Sequence, residues 1–121
     1  MTIAAQAMTA RPADTIRAAL SAGHSRCIVW PHHGVSYRDG APRYGSLRWD
    51  GERRFAHHVI AEEAHGPRPE GLIVCHDPRA CTSSLCINPR HLRYDTPAAN
   101  MADRVIERAL GRQLPLFRSA A

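Results

Sequence analysis

The segment CHDPRACTSSLCINPRHLRYDTPAAN, residues 75–100, decides the fold of this 121-residue chain. Two thiols and one imidazole, those of Cys81, Cys86 and His91, occur within eleven residues of it. A structural zinc ion takes four nitrogen or sulfur ligands in a tetrahedron, and a loop with this spacing can supply three of them. The segment therefore predicts a zinc loop that needs one more ligand from elsewhere.

The sequence offers three candidates for the fourth ligand. Cys75 and His76 lie next to the loop, whereas Cys27 is remote, in the short β-prone run 26–30. A site closed by Cys27 would tie that run to the loop and leave His76 outside the ligand set. Cys75 ends an apolar run, as core thiols commonly do.

The four cysteines also allow a second interpretation, two disulfides in a secreted protein. The first 22 residues contain no continuous apolar core of a secretory signal, so reduced, metal-binding cysteines are favoured. No run of 18 apolar residues occurs, and we expect no membrane span.

The basic residues point to a polyanionic partner. The formal charge is +5, and all sixteen basic residues are arginines. Arginine suits bidentate phosphate contacts, although codon bias in a GC-rich genome also explains the absence of lysine. Residues 23–60 carry a net +3 and could present one positive face, or a simply solvated one.

Periodicity and turn residues predict the secondary structure. We predict helices over 12–20, 57–65 and 97–110, strands over 26–30, 44–49, 52–56, 71–75 and 91–94, and a loop over 32–42. Asp50-Gly51 between two of the strands is a strong hairpin signal. Thr96 is the predicted N-cap of the last helix, whose expected apolar stripe consists of Val105, Ile106, Ala109 and Leu110. From residue 71 onwards the order is strand, metal loop, strand, helix, which is a ββα unit. We expect one domain, 23–111, between a tail with a short helix, 1–22, and a second tail, 112–121.

Several motifs together support a family resemblance. They are Cys27-x-x-Trp30, Tyr44-Gly45, Ala56-His57, Gly66-Pro67-x-Pro69-x-Gly71-Leu72, His76, Cys81-x4-Cys86-x-Asn88-Pro89-x-His91-Leu92 and Asn100. Over residues 26–105 the chain resembles phage and bacterial HNH endonucleases of the ββα-metal (His-Me finger) superfamily, in which a zinc loop is shared with the His-Cys box endonucleases. The expected fold class is α+β, a small ββα-metal core with an N-terminal β-hairpin and a structural zinc loop.

The resemblance assigns a role to each of the site residues. His76 takes the general-base position, and Asn100 takes the position that binds a catalytic Mg²⁺ or Mn²⁺ ion. The structural zinc positions fall on Cys27, Cys81, Cys86 and His91. We also expect a hairpin arginine to reach the phosphate, first Arg48 and then Arg43 or Arg53. These roles are chemically reasonable, because a neutral imidazole is a base near pH 7 and Mg²⁺ prefers oxygen ligands.

The chain departs from the family pattern at two points. Cys75 stands where many relatives have Asp or His, and a thiol is a poor Mg²⁺ ligand. Four residues separate His76 from Cys81, three more than in the usual His-x-Cys spacing, and Asp77 among the four is an alternative oxygen ligand.

The resulting prediction is a metal-dependent endonuclease that nicks or cuts double-stranded DNA in the cytoplasm of a bacterial or phage-infected cell. A monomer would nick, whereas a homodimer could cut both strands. The alternative is a non-catalytic, zinc-stabilised DNA-binding module.

Overall fold

The computed structural model describes residues 11–80 and 83–110. These form a mixed α+β structure, as predicted, and the elements in chain order are α1 (Pro12–Leu20), β1 (Val35–Arg38), β2 (Ala41–Trp49), β3 (Glu52–Phe55), α2 (Ala56–His65), β4 (Ile73–His76), β5 (Leu92–Asp95) and α3 (Pro97–Leu110). A single 3₁₀ turn, Pro89–His91, leads into β5. None of the helices in this part of the chain is long and apolar enough to cross a membrane.

The strands form two separate antiparallel sheets. One has the order β1-β2-β3, and the other pairs β4 with β5, so that Ile73 lies opposite Asp95 and His76 opposite Leu92. Strand β4, the metal loop, β5 and α3 therefore follow the predicted ββα order. This arrangement is consistent with a ββα-metal fold.

The β1-β2-β3 sheet contains two turns of the same kind. Asp50 and Gly51 have φ angles of 51° and 80°, which fits the predicted Asp-Gly turn between β2 and β3. Asp39 and Gly40, at 53° and 79°, join β1 to β2 in the same way. The prediction of a loop over 32–42 is therefore wrong, because Asp39-Gly40 forms a hairpin turn between two strands.

The hydrophobic core joins the N-terminal helix to the metal loop. Its buried members are Ile16, Ala19, Ile28, Trp30, Leu47, Ala56, Val59, Ile60, Ile87 and Leu92. Helix α1, predicted within the N-terminal tail, thus packs on the same core as the nuclease-like region. Close packing also restricts Gly45 in β2, where a Cβ atom would lie only 2.4 Å from Cγ of Trp30.

Helix α3 is held mainly at its start. The Thr96 hydroxyl accepts a hydrogen bond from the Ala99 amide at 3.1 Å, which is the predicted N-cap. The apolar stripe expected to bury this helix is largely exposed, with Val105 65% and Leu110 49% accessible. The buried residue is instead Asp103, which pairs with Arg93 of β5. Polar contacts therefore attach α3 to the sheet in the described part of the chain.

Candidate metal centre and active site

Three of the four predicted zinc ligands lie together. The Sγ atoms of Cys27 and Cys86 and a ring nitrogen of His91 are all within 4.8 Å of one another. His91 Nδ1 is 3.6 Å from Cys27 Sγ and 3.4 Å from Cys86 Sγ. Tetrahedral zinc has bonds of about 2.3 Å to sulfur and about 2.0 Å to nitrogen, which places such ligand pairs about 3.5 Å apart. The donor atoms and their spacing therefore fit zinc.

Cys81, the remaining predicted zinc ligand, lies outside the described residues. Its chain neighbour Ala80 has its carbonyl oxygen 3.7 Å from Cys27 Sγ. Cys75, the nearby alternative, does not belong to this group. It is 1% exposed and lies opposite Arg93 in the β4–β5 pair, and burial raises the pKa of its thiol. Its side chain and that of His76 point to opposite faces of β4, since successive strand residues alternate.

The His91 ring is oriented by a second hydrogen bond. Its Nε2 donates to the carbonyl of Ser25 at 2.6 Å. Because a carbonyl can only accept, Nε2 carries the proton and Nδ1 keeps its lone pair toward the two sulfur atoms. A backbone partner of this kind is the usual way in which a metal-binding histidine is held in one tautomer.

The buried side chain of Asn88 fixes the loop to the N-terminal segment. Its Nδ2 donates to the carbonyls of His24 at 2.9 Å and Arg26 at 2.6 Å. Its Oδ1 accepts from the Arg90 amide at 2.9 Å. The side chain therefore satisfies backbone groups and is not a metal ligand in this arrangement.

The predicted strand over 26–30 is reduced to a single β-bridge, between Val29 and Cys86. Two main-chain hydrogen bonds flank it, from Trp30 to the Leu85 carbonyl at 2.9 Å and from Ile87 to the Ile28 carbonyl at 2.7 Å. The pairing is short because the partner is an irregular metal loop. This bridge nevertheless brings Cys27 close to Cys86, although the two residues are 59 positions apart in the sequence.

His76, the predicted base, lies at the end of β4 beside the metal cluster. Its Nε2 donates to the carbonyl of Cys86 at 3.0 Å. The proton therefore sits on Nε2, and the lone pair on Nδ1 remains available. Burial lowers the pKa of His76, although this hydrogen bond opposes the shift. The ring is thus neutral near pH 7, which is the state a general base requires.

Two further rings, which the sequence analysis did not assign, surround His76. The His57 ring lies 5.2 Å from that of His76 and stacks on Tyr44 at 4.7 Å. His57 is 5% exposed, and its Nδ1 has no hydrogen-bond partner among the described residues. Burial, with His76 and His58 nearby, holds the pKa of His57 well below its usual value. The Ala56-His57 motif was the only signal in the sequence for His57, and the motif alone did not indicate that this ring lies beside His76.

Asn100 lies in the first turn of α3 and is half-buried. Its main-chain N–H donates to the Thr96 carbonyl at 3.0 Å. Within residues 11–80 and 83–110, the Cys27 cluster is the only group of three or more Cys, His, Asp or Glu side chains close enough to hold one ion, so no carboxylate cluster surrounds Asn100. Mg²⁺ retains several waters and binds through one or two protein oxygens plus substrate phosphate. The Asn100 amide oxygen suits that role, whereas the Asp77 carboxylate accepts from the Arg79 amide at 3.0 Å in a local turn.

The three hairpin arginines differ in their surroundings. Arg48 is exposed and donates to the Gly51 carbonyl of its own turn at 2.9 Å. Arg43 lies over the Tyr44 ring, 5.2 Å from its centre. Arg53 lies opposite Arg48 in the β2–β3 pair. The guanidinium group of Arg48, the first choice from the sequence, is therefore hydrogen-bonded to the turn between β2 and β3.

Comparisons with known proteins agree with the resemblance found in the sequence. A family model described as HNH endonuclease matches residues 54–102, which include α2, β4, the metal loop, β5 and the first turn of α3. The chain is also 36% identical over 87 residues to Protein 7.7 of Escherichia phage T7. That alignment covers 72% of this chain, and the chain spans 58% of the length of the phage protein. No solved structure matches the chain.

Proposed function

We propose that this protein, whose residues 54–102 match a family model described as HNH endonuclease, is a metal-dependent endonuclease that hydrolyses phosphodiester bonds of double-stranded DNA. The observation that carries the proposal is the hydrogen bond from His76 to the Cys86 carbonyl. It joins a neutral, oriented imidazole directly to a residue of the metal cluster. A base that is held in this way needs little reorganisation before it reacts.

His76 acts on the attacking water. Its Nδ1 lone pair takes a proton from that water as the oxygen attacks phosphorus, while Nε2 stays bonded to the Cys86 carbonyl. The adjacent Tyr44 and His57 rings restrict rotation of the imidazole and limit access of bulk water. The expected products carry a 5′-phosphate and a 3′-hydroxyl group.

Two different metals have two different functions in this proposal. Cys27, Cys86, His91 and, from the sequence, Cys81 would hold zinc, which would stabilise the loop that supplies the Cys86 carbonyl. The Asn100 oxygen would hold Mg²⁺ or Mn²⁺. That divalent ion supplies charge stabilisation at the scissile phosphate and the departing 3′ oxygen.

Supercoiled plasmid provides the test of this activity. Zinc-loaded protein with Mg²⁺ should convert the plasmid to nicked or linear DNA, and should leave it intact when Mg²⁺ is omitted. Nicked product alone indicates that one active site works at a time, whereas linear product at early times indicates a dimer. Intact plasmid with either Mg²⁺ or Mn²⁺, at protein concentrations that bind the DNA, would contradict the proposal and favour a non-catalytic DNA-binding module.

A further inference from the structure

A surface pocket of about 300 Å³ lies where β3 runs into α2. It is lined by Ser46, Arg53, Arg54, Phe55 and His58. No acidic side chain lines it. A pocket with two guanidinium groups, a hydroxyl and an imidazole offers hydrogen-bond donors to an anion.

The start of α2 adjoins this pocket, and its first turn contains no acidic residue. The helix dipole makes this end positive. Ala56 and His57 are buried, 0% and 5% exposed, so the helix end acts on an anion in the pocket through its field and not through their amides.

The two arginines are not equivalent. Arg54 forms an ion pair with Glu62 at 2.6 Å, so its charge is partly compensated. No ion pair of Arg53 is found in the described part of the chain. Arg53 is also the more exposed of the two. It therefore carries the uncompensated positive charge of the pocket.

One ring, that of His57, lies between the pocket residues and the proposed base His76. Phe55 and His58 both contact the His57 ring, at 5.7 and 4.5 Å between ring centres, and His57 lies 5.2 Å from His76. Ser46 lies on the same face of β2 as Tyr44, which stacks on His57, because strand residues two apart share a face. The buried His57 ring thus links the pocket residues to the His76 ring.

We propose that this pocket binds a backbone phosphate of DNA adjacent to the one that is cleaved, with Arg53 as its principal cation and the positive end of α2 beside it. This phosphate positions the strand so that the scissile phosphate lies at His76. The assignment of the phosphate to DNA rests on the proposed function, whereas the anion site itself does not. Arg53, and not Arg48, is then the hairpin arginine that approaches the reacting strand.

The salt dependence of DNA binding tests the phosphate contact without cleavage. Affinity for a 20-base-pair duplex is measured at several salt concentrations, with zinc-loaded protein and no Mg²⁺. Each phosphate contact contributes about 0.9 to the slope of log affinity against log salt concentration. Arg53→Gln should lower that slope by about 0.9, and Arg53→Lys, which keeps the charge, should not. Arg17→Gln, at an exposed arginine of α1, is the matched control and should leave it unchanged.

Inorganic phosphate tests the site directly. In amide NMR spectra of the wild-type protein, phosphate should shift the resonances of the lining residues Arg54, Phe55 and His58, and the Arg53→Gln variant should lose these shifts. Shifts elsewhere only, or an unchanged salt slope in Arg53→Gln, would overturn the inference. Binding with the expected slope change in a protein that never cleaves would leave the anion site standing and refute only the nuclease proposal.

Discussion

The metal loop, which is hydrogen-bonded to His76, and helix α3, which contains Asn100, support the two halves of the proposed active site, and the fold holds them in different ways. The loop is attached to the N-terminal segment by a β-bridge, by Asn88 and by the shared Cys27–Cys86–His91 cluster. Helix α3 exposes most of its apolar residues and is attached at its start and through Asp103. The base is therefore held by a closely bonded scaffold, while Asn100 sits on a lightly packed helix that can adjust to metal and substrate.

The largest effect is expected at the cluster. Cys27→Ser should release the zinc and lower the free energy of unfolding by on the order of 5 kcal/mol, because zinc-binding energies of about 10–16 kcal/mol in small domains are folding energies. Metal analysis with chemical denaturation measures both. Cys75→Ser, also a buried thiol but outside the cluster, should keep its zinc. Full zinc content in Cys27→Ser would show that the cluster geometry does not reflect metal binding.

The two asparagines should separate stability from activity. Asn88→Ala leaves the carbonyls of His24 and Arg26 without their partner and should cost about 2–4 kcal/mol of stability. Asn100→Ala, at a half-buried helix position, should change stability by no more than about 0.5 kcal/mol but remove cleavage. Thermal unfolding and plasmid cleavage on the same preparations check this. Equal stability losses in both variants would mean that α3 is as firmly built in as the loop.

A smaller effect is expected at the ion pair that fastens α3. Asp103→Asn removes the charge-assisted bond from Arg93 and should cost about 1–2 kcal/mol. Hydrogen exchange should then become faster in α3 while residues 85–91 keep their protection. Faster exchange in both regions would indicate that the two halves open together.

The smallest effect is expected on the exposed stripe of α3. Val105→Ala should alter the unfolding free energy by less than about 0.5 kcal/mol, because this side chain is 65% exposed. A loss above about 1.5 kcal/mol in denaturant titrations would show that the stripe is covered in solution, contrary to the weak attachment described above.

The sequence predicted the parts of the fold that local signals control. The helices at 12–20 and 97–110, the Asp50-Gly51 turn and the ββα order all follow from caps, turn residues and apolar periodicity. Strand β1 was missed because residues 32–42 are rich in histidine, glycine and charged residues, which favoured a loop over a hairpin at Asp39-Gly40. The burial of α3 was overestimated, since an apolar stripe alone does not show which surface it meets.

The candidate site was predictable where the chemistry lies in the residue type. Cysteine and histidine spacing led to Cys86 and His91, whereas the family resemblance led to the remote Cys27 and to the prediction for His76. What could not be predicted depends on tertiary contacts. The ring of His57 against His76, the hydrogen bond to the Cys86 carbonyl and the choice among hairpin arginines all depend on how separate elements pack.

The central claim is that His76 is the base of a metal-dependent DNA hydrolysis. The most direct test is the initial rate of plasmid cleavage with Mg²⁺ by zinc-loaded wild type, His76→Ala and His65→Ala, the last an exposed histidine at the end of α2. Loss of a general base lowers rates by about 10²–10⁴-fold. We predict a loss of that size in His76→Ala, with unchanged zinc content, and a wild-type rate in His65→Ala. Cleavage by His76→Ala at the wild-type rate would contradict the account.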